Sequence, residues 1–332
     1  MSKLRNTIKL PLNFLGIIQS INIQKKFLQK NITPMLQNAE VMNDGTLSQK
    51  DFVKINKYYG LAVPSILGEA FCVLRGNPML DSERWTSTSQ GVITGLFDDF
   101  FDDHKLSEEY INELVKKPES ITPSSSNEKL FLDFYLKSLE QSSHPNLIIE
   151  KLLMVFEAQV CSVEQENSDI RKNRIWEITQ KKGGNSVLFY RSGFDNKLVE
   201  GEKEALFQLG ALMQFENDIF DIYKDYKSKI YTIPTTIHTV YEMRKLYREQ
   251  LGSFIDLSYK MHYPNKQIIQ FLDIVMPVIN RGFVCLDQYQ KLENKNNGLF
   301  TINSFTRKQL ICDMEKPRNV LKTIAYQIKS DY

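Results

Sequence analysis

Residues 202–226 read EKEALFQLGALMQFENDIFDIYKDY, and this stretch predicts the fold of the chain. Its apolar residues recur at three- and four-residue intervals, the period of an α-helix with one buried face. The same period recurs along most of the sequence, whereas the alternation typical of strands is nearly absent. We therefore predict an all-α protein. The segments with helical periodicity are 54–74, 87–101, 128–139, 147–163, 170–189, 202–226, 239–259 and 266–292.

The breaks in this pattern are short and polar. Residues 117–127 hold two prolines and four serines, 141–146 contain a His-Pro pair, and 294–304 are polar and contain a glycine. None of them is a long linker between two independent patterns, so we predict a single helical domain at 46–332. Residues 1–45 are predicted to be an N-terminal extension or helices that pack on that domain.

Composition and charge exclude several classes of protein. The 332 residues include 42 basic and 40 acidic side chains, a balance that argues against a nucleic-acid partner or an anionic membrane surface. The 4 cysteines lie far apart without a CxxC pair, which indicates reduced thiols of a cytosolic protein. The N-terminus carries Lys3, Arg5 and Lys9, but no apolar run after them is long enough for a signal peptide or a membrane span. We therefore expect a cytoplasmic protein without a transmembrane segment.

The first acidic motif is the stretch 95–104, GLFDDFFDDH, where four carboxylates stand within six residues beside three phenylalanines. Asp98 and Asp102 would lie about 40° apart on one helix face. Carboxylates at this spacing repel each other, and apolar neighbours weaken their solvation. Magnesium prefers such oxygen ligands and commonly shares them with substrate phosphates. The stretch therefore predicts either a metal site or a solvated acidic helix end.

The second acidic motif lies within 202–226. Asn217, Asp221 and Asp225 are four residues apart and form one stripe of oxygen ligands on a helix, with Asp218 at its edge. Gly210 precedes this stripe on the same side and would leave open volume for a prenyl chain. The alternative is a solvated helix face.

Together, two acid-bearing helices about 120 residues apart are more specific than either alone, since helix bundles build metal sites from side chains on facing helices. Several magnesium ions there would stabilise a departing diphosphate, while an apolar pocket would shelter a carbocation from water. Phe97 and Phe101 would face that cation, because aromatic rings attract cations.

With these motifs the sequence resembles the class I terpenoid (isoprenoid) synthase superfamily. Residues 98–102, DDFFD, match its DDxxD motif, and 217–225, NDIFDIYKD, are similar to its second motif in both forms. One form is the NDxx(S/T)xxxE of terpene cyclases, where Asp221 and Asp225 replace Ser/Thr and Glu. The other is the DDxxD of prenyltransferases, where Asn217 replaces the first Asp. The departures keep oxygen ligands but do not identify the subfamily.

A third segment, KKGGNSVL at 181–188, resembles the GGxSVL segment of the tetraprenyl-β-curcumene synthase family. The resemblance implies a helix break at Gly183 near the diphosphate, with Lys182 binding diphosphate oxygens. Either Arg171 or Arg174 would correspond to the diphosphate-sensing arginine of cyclases, and the alternative for both is an ordinary surface charge. Two lysines at the end of the second motif would close over the leaving group; these are Lys224, within the motif, and Lys227, just after it.

The resemblance implies a helical bundle with a central active-site cavity, three Mg²⁺ ions and a prenyl diphosphate substrate. The implied metal ligands are Asp98, Asp99, Asp102, Asn217, Asp218, Asp221 and Asp225. A homodimer is an open alternative to a monomer.

The expected reaction is the ionisation of one C15 to C25 allylic diphosphate to a terpene hydrocarbon or alcohol. Chain-elongating prenyltransferases carry an Arg-Arg pair after the first motif, where this chain has Lys105-Leu106-Ser107. The upstream candidate for a second diphosphate site is only Arg75 and its neighbours. The alternatives are a prenyltransferase, by chain elongation or head-to-head condensation, a magnesium-dependent diphosphate hydrolase, and a non-catalytic helical metal-binding protein.

Overall fold

The computed structural model describes residues 2–102 and 106–332, without the side chains of residues 2–4, 98 and 102. Across these ranges the chain forms helices and no strand, so the all-α prediction is confirmed. The α-helices are α1 (Ser2–Phe27), α2 (Thr33–Val41), α3 (Gln49–Val53), α4 (Gly60–Ala62), α5 (Glu69–Arg75), α6 (Asp81–Asp102), α7 (Glu108–Lys116), α8 (Ser126–Gln141), α9 (Pro145–Ser162), α10 (Lys172–Arg191), α11 (Glu202–Phe220), α12 (Ile222–Ser228), α13 (Ile233–Thr236), α14 (Val240–Ser258), α15 (Asn265–Lys295), α16 (Arg307–Leu310) and α17 (Pro317–Lys329).

Short non-α turns connect several of these helices. π-Helical turns are Leu28–Ile32, Lys54–Tyr59 and Val63–Gly68, and 3₁₀ turns are Pro118–Ser120, Val163–Glu166 and Ile302–Ser304. The predicted segment 54–74 is thus a mixture of π-helical turns with α4 and α5.

Hydroxyl side chains fix the beginnings of three helices. Ser107, Ser125 and Thr239 stand just before α7, α8 and α14, and each accepts the backbone N–H of the residue three positions later, at 3.2 Å. Such caps satisfy donors that the first helical turn leaves without an intrahelical partner. They fix where these three helices begin, and α8 begins near the end of the polar break at 117–127.

The chain divides into two compact units. The first unit is Leu12–Phe156 with Leu188–Lys197, and the second unit is Met1–Pro11, Glu157–Val187 and Leu198–Tyr332. The predicted division at residue 45 stays a prediction.

In the first unit, α6 packs against α8 and against α4 with its flanking π-helical turns. The aromatic residues at the end of α6 form a closely packed group: the Phe97 ring lies 5.8 Å from that of Phe131 and 5.5 Å from that of Phe101. Phe97 is buried, so its ring belongs to the core of this unit.

In the second unit, α11 packs against α14 and α15, α14 packs against α15, and α15 packs against α17. Two buried tyrosines join these helices through their hydroxyls. Tyr247 donates to the Ile279 carbonyl at 2.7 Å, and Tyr289 donates to the Ile219 carbonyl at 2.8 Å. Both hydroxyls therefore keep a partner inside the core, where an unpartnered one would be costly.

Helix α15 is the one helix in the described ranges that is long and apolar enough to cross a membrane. Its apolar window is 67% buried within the protein. Burial in the core accounts for its apolar composition, so this helix is weak evidence for a membrane span.

Helix α10 runs without interruption through Gly183 and Gly184, so the predicted helix break is wrong. The glycines instead allow α10 to approach α11. A Cβ atom at Gly183 would overlap the carbonyl oxygen of Gly210, and one at Gly210 would overlap the carbonyl oxygen of Gly183. A Cβ atom at Gly184 would overlap the ring of Phe207. The two backbones are therefore in direct contact.

This contact predicts that Gly183→Ala lowers the free energy of unfolding by about 1–3 kcal/mol, because the added methyl group forces the helices apart. Denaturant unfolding followed by circular dichroism measures it. Gly252→Ala in α14 is the matched control: no atom lies within 4 Å of its new Cβ, so stability should stay equal or rise by up to ~1 kcal/mol. Equal stability of Gly183→Ala and the parent would contradict the close contact.

Candidate metal and diphosphate site

The second acidic motif crosses the junction between α11 and α12. α11 ends at Phe220, and Asp221 departs from helical geometry with φ −91° and ψ 7°. The hydrogen-bond spacing nevertheless continues, since Asp221 N–H donates to the Asn217 carbonyl and Asp225 N–H to the Asp221 carbonyl, both at 2.9 Å. The predicted four-residue register of the motif is thereby kept.

Burial within the motif differs from the predicted stripe. Asp218 is 5% exposed and Asp225 is 8% exposed, whereas Asp221 is half-buried and Asn217 is exposed. The deepest carboxylates are therefore Asp218, which the pattern placed at the edge of the stripe, and Asp225.

Asp218 is held by groups from both α10 and α11. Gln214 Nε2 donates to its Oδ1 at 2.8 Å, and Thr179 Oγ1 donates to its Oδ2 at 3.2 Å. Lys182 lies close enough for its charge to act on the same carboxylate. Sequence reasoning missed Thr179, because only the contact of α10 with α11 brings it to the motif.

Electrostatics in this cluster disfavour the ionised carboxylates. Burial raises the pKa of Asp218 to about 6, against the opposing effect of its hydrogen bonds and of Lys182. Burial and the charges of Asp218 and Asp221 raise the pKa of Asp225 to about 7. Burial also raises the pKa of Asp221, although the Lys224 ammonium opposes this. Burial is the largest of these causes for all three aspartates, so their ionised forms lack the solvation that water would give.

Glu216 lies on a different face of α11 and pairs with α15. Its Oε1 is 3.2 Å from Arg281 Nε, and Arg281 also lies over the Phe220 ring. Burial raises the pKa of Glu216 to about 7 in spite of this arginine. The sequence analysis did not single out this pair, whose members are 65 positions apart in the numbering.

The other predicted cations differ in their surroundings. Arg174 is paired with two carboxylates, at 2.6 Å to Glu164 and 2.8 Å to Glu177. Arg171 is exposed and precedes α10. Lys227 is exposed and lies over the Tyr223 ring, with 5.7 Å from its ammonium to the centroid. Among the predicted diphosphate ligands, Lys182 and Lys224 are therefore the two whose charges act on the carboxylate cluster.

The first acidic motif lies at the end of α6, as predicted, in the first unit. The side chains of Asp98 and Asp102 lie outside the described residues, and so do residues 103–105. Asp99 is buried, and its Oδ1 accepts a hydrogen bond from Lys54 Nζ at 3.1 Å. The metal-binding role of this motif stays a prediction.

The side chains of the second motif offer oxygen atoms as ligands. Magnesium prefers oxygen ligands. Among the side chains that the structure describes, no three His, Cys, Asp or Glu residues converge as a complete metal site. Magnesium does not need such a set, because it is commonly held by one or two carboxylates with phosphate oxygens and water. Buried carboxylates whose ionised form is disfavoured by burial fit such an ion, and Asp218 and Asp225 would hold it.

Comparison with known proteins gives no match: no family model, no curated protein sequence and no solved structure is similar to this chain. The function is therefore inferred from the residues of the site and from the sequence motifs.

The raised pKa values predict a pH dependence of stability without added metal. The folded chain binds more protons than the unfolded chain between about pH 4 and 7, so the free energy of unfolding falls as pH rises through this window. Asp225→Asn should weaken the pH dependence and stabilise the protein at pH 8 by on the order of 2 kcal/mol. Urea unfolding at pH 5, 6, 7 and 8 measures both effects.

The matched control is Asp256→Asn, which removes the same charge from an exposed position of α14. Burial also raises the pKa of Glu216 to about 7, so Glu216 contributes to the pH profile of the parent and of Asp225→Asn alike. The difference between the two profiles therefore reports the contribution of Asp225. Parallel pH profiles for the parent and Asp225→Asn would contradict the proposed electrostatics.

Proposed function

We propose that this protein is a magnesium-dependent class I terpene synthase that ionises a C15 to C25 allylic prenyl diphosphate and releases diphosphate with a terpene hydrocarbon or alcohol. The observation that carries the proposal is the buried pair Asp218 and Asp225, with Lys182 beside it. We also propose the helical bundle with a central active-site cavity, which the sequence resemblance implies.

The buried carboxylates support a site for a cation. Burying ionised carboxylates without compensation is costly, and the raised pKa values of Asp218 and Asp225 express this cost. Bound magnesium would supply Lewis-acid stabilisation of the charge that develops on a departing diphosphate. In this proposal Asp218 and Asp225 hold the ion, and Gln214 and Thr179 keep the Asp218 carboxylate oriented through the two hydrogen bonds that they donate.

Lys182 supports the diphosphate part of the proposal. It lies in α10 one turn after Thr179, and its charge acts on Asp218. A lysine ammonium is a compact point charge that binds phosphate oxygens well. A cation beside a cluster of carboxylates is the arrangement that a metal-bound diphosphate requires, because the ligand carries oxygens for both.

The surroundings of Arg75 favour a single diphosphate substrate. This arginine was the upstream candidate for a second diphosphate site, but it forms a buried ion pair with Glu83. Its guanidinium also donates to the carbonyl of Pro78 at 2.8 Å and lies over the Phe194 ring. A guanidinium with its donors occupied in this way is unsuited to a second diphosphate, so ionisation of one substrate is favoured over chain elongation.

Calorimetric titration with Mg²⁺ and inorganic diphosphate tests the site directly. The parent should bind the two together, and Asp218→Asn or Asp225→Asn should weaken this binding about tenfold or more, because each removes a ligand and a charge. The exposed-site control Asp256→Asn should bind as the parent does. Parent-like binding by both cluster variants, with their folds verified by circular dichroism, would refute the assignment of the metal.

Incubation with C10, C15, C20 and C25 allylic diphosphates tests the reaction. With radiolabelled isopentenyl diphosphate present, we expect release of inorganic diphosphate and products of unchanged carbon number without label. Asp98→Asn with Asp102→Asn should abolish turnover and leave the fold intact. Label in a longer prenyl chain would establish chain elongation instead, and diphosphate binding without turnover of any substrate would favour a non-catalytic protein.

A further inference from the structure

Helix α1 carries apolar side chains on its outer face. Ile8 is 64% exposed, Leu12 68%, Leu15 62% and Ile23 45%. At 100° per residue these four positions fall within an arc of about 80° on one side of the helix, and we call them the outer stripe. Four large aliphatic side chains aligned on one exposed face are more than the single exposed apolar residues of an ordinary surface.

The side of α1 away from the outer stripe packs on the protein and carries both polar and apolar residues. Ser20 is buried and donates to the Ser65 carbonyl at 2.9 Å. Gln24 is fully buried and donates to the Gly60 carbonyl at 2.8 Å and to Thr88 Oγ1 at 2.9 Å. Phe14, Ile17 and Ile21 also lie on the side away from the outer stripe and are half-buried. α1 therefore has apolar residues on both faces, and those of the outer stripe are the ones that remain exposed.

The charge around the outer stripe indicates what that partner is. Residues 1–39 contain six basic side chains and no acidic one, whereas the remaining sequence holds 36 basic against 40 acidic side chains. On a helical projection Lys9 and Lys25 lie on opposite sides of the outer stripe, about 80° and about 120° from its centre, and Lys26 lies in line with it near the C-terminal end. An apolar stripe with cationic flanks is the pattern of helices that lie in a membrane interface.

We propose that α1 docks on an anionic phospholipid bilayer, lying in the plane of the interface with the outer stripe in the boundary between headgroups and acyl chains. A second copy of this chain fits the face less well, because two such helices would bring their cationic flanks together. Anionic headgroups complement the same flanks, with a gain of about fivefold in affinity for each lysine near the surface. This inference is independent of the proposed function, since it uses no residue of the carboxylate cluster.

Vesicle flotation of the full-length protein tests the proposal. Vesicles of phosphatidylcholine mixed with phosphatidylglycerol should bind the protein about tenfold or more tightly than vesicles of phosphatidylcholine alone, and added salt should weaken the binding. Leu12→Gln with Leu15→Gln should lower the partition coefficient about tenfold or more. Lys25→Gln with Lys26→Gln should also weaken binding and reduce its dependence on salt.

A matched control replaces exposed leucines elsewhere: Leu299→Gln with Leu321→Gln, at positions 63% and 66% exposed, should float as the parent does. Thermal unfolding of each variant verifies its fold, and all four leucines are exposed, so little change is expected. Absence of flotation with the anionic vesicles, or equal flotation of Leu12→Gln with Leu15→Gln and the parent, would overturn the proposal. So would a dimer in sedimentation velocity that these substitutions dissociate, if no vesicle binding accompanies it.

Discussion

The contact between the backbones of α10 and α11 at Gly183 and Gly210 is the constraint on which the candidate site depends. Since neither residue has a side chain, the two helices approach until their carbonyl groups limit the distance. Thr179 lies one turn before Gly183, and this approach lets its hydroxyl reach Asp218 on the facing helix. A larger residue at either glycine would separate the groups that hold and polarise this carboxylate.

Several buried polar side chains of the second unit have partners on neighbouring helices. Tyr247 and Tyr289 donate to backbone carbonyls of neighbouring helices, and Glu216 keeps Arg281 as its partner. The carboxylates of Asp218 and Asp225 are buried, and burial is the main cause that raises the pKa of each. Buried ionisable groups are normally paired with an opposite charge, and exceptions are concentrated at functional sites. The local cost of the cluster is thus an argument for a ligand rather than for structure.

The sequence could predict the helices and the register of the motif, because helical period reports which face is buried and spacing alone sets the register. It could not assign the role of Gly183, since weak helix propensity is common to a helix break and to a close helix contact. The sequence could not predict that Asp218 is more buried than Asn217 either. The burial of each side chain depends on which residues of other helices pack against it. Thr179, together with the Glu164 partner of Arg174, comes from positions that become neighbours only in the folded chain.

Averages over the chain conceal how differently α1 and α15 expose their apolar residues. The net charge of +2 hides a segment of 39 residues without an acidic side chain. By length and mean hydropathy, α15 is the candidate for a membrane span, yet its apolar window is mostly buried. Helix α1 is less apolar, but several of its aliphatic side chains are exposed. Burial, not composition, separates a core helix from one that needs an external partner. A prenyl diphosphate combines an apolar chain with an anionic head and would concentrate at a bilayer surface, so a helix that holds the protein at that surface would bring the proposed site to its substrate.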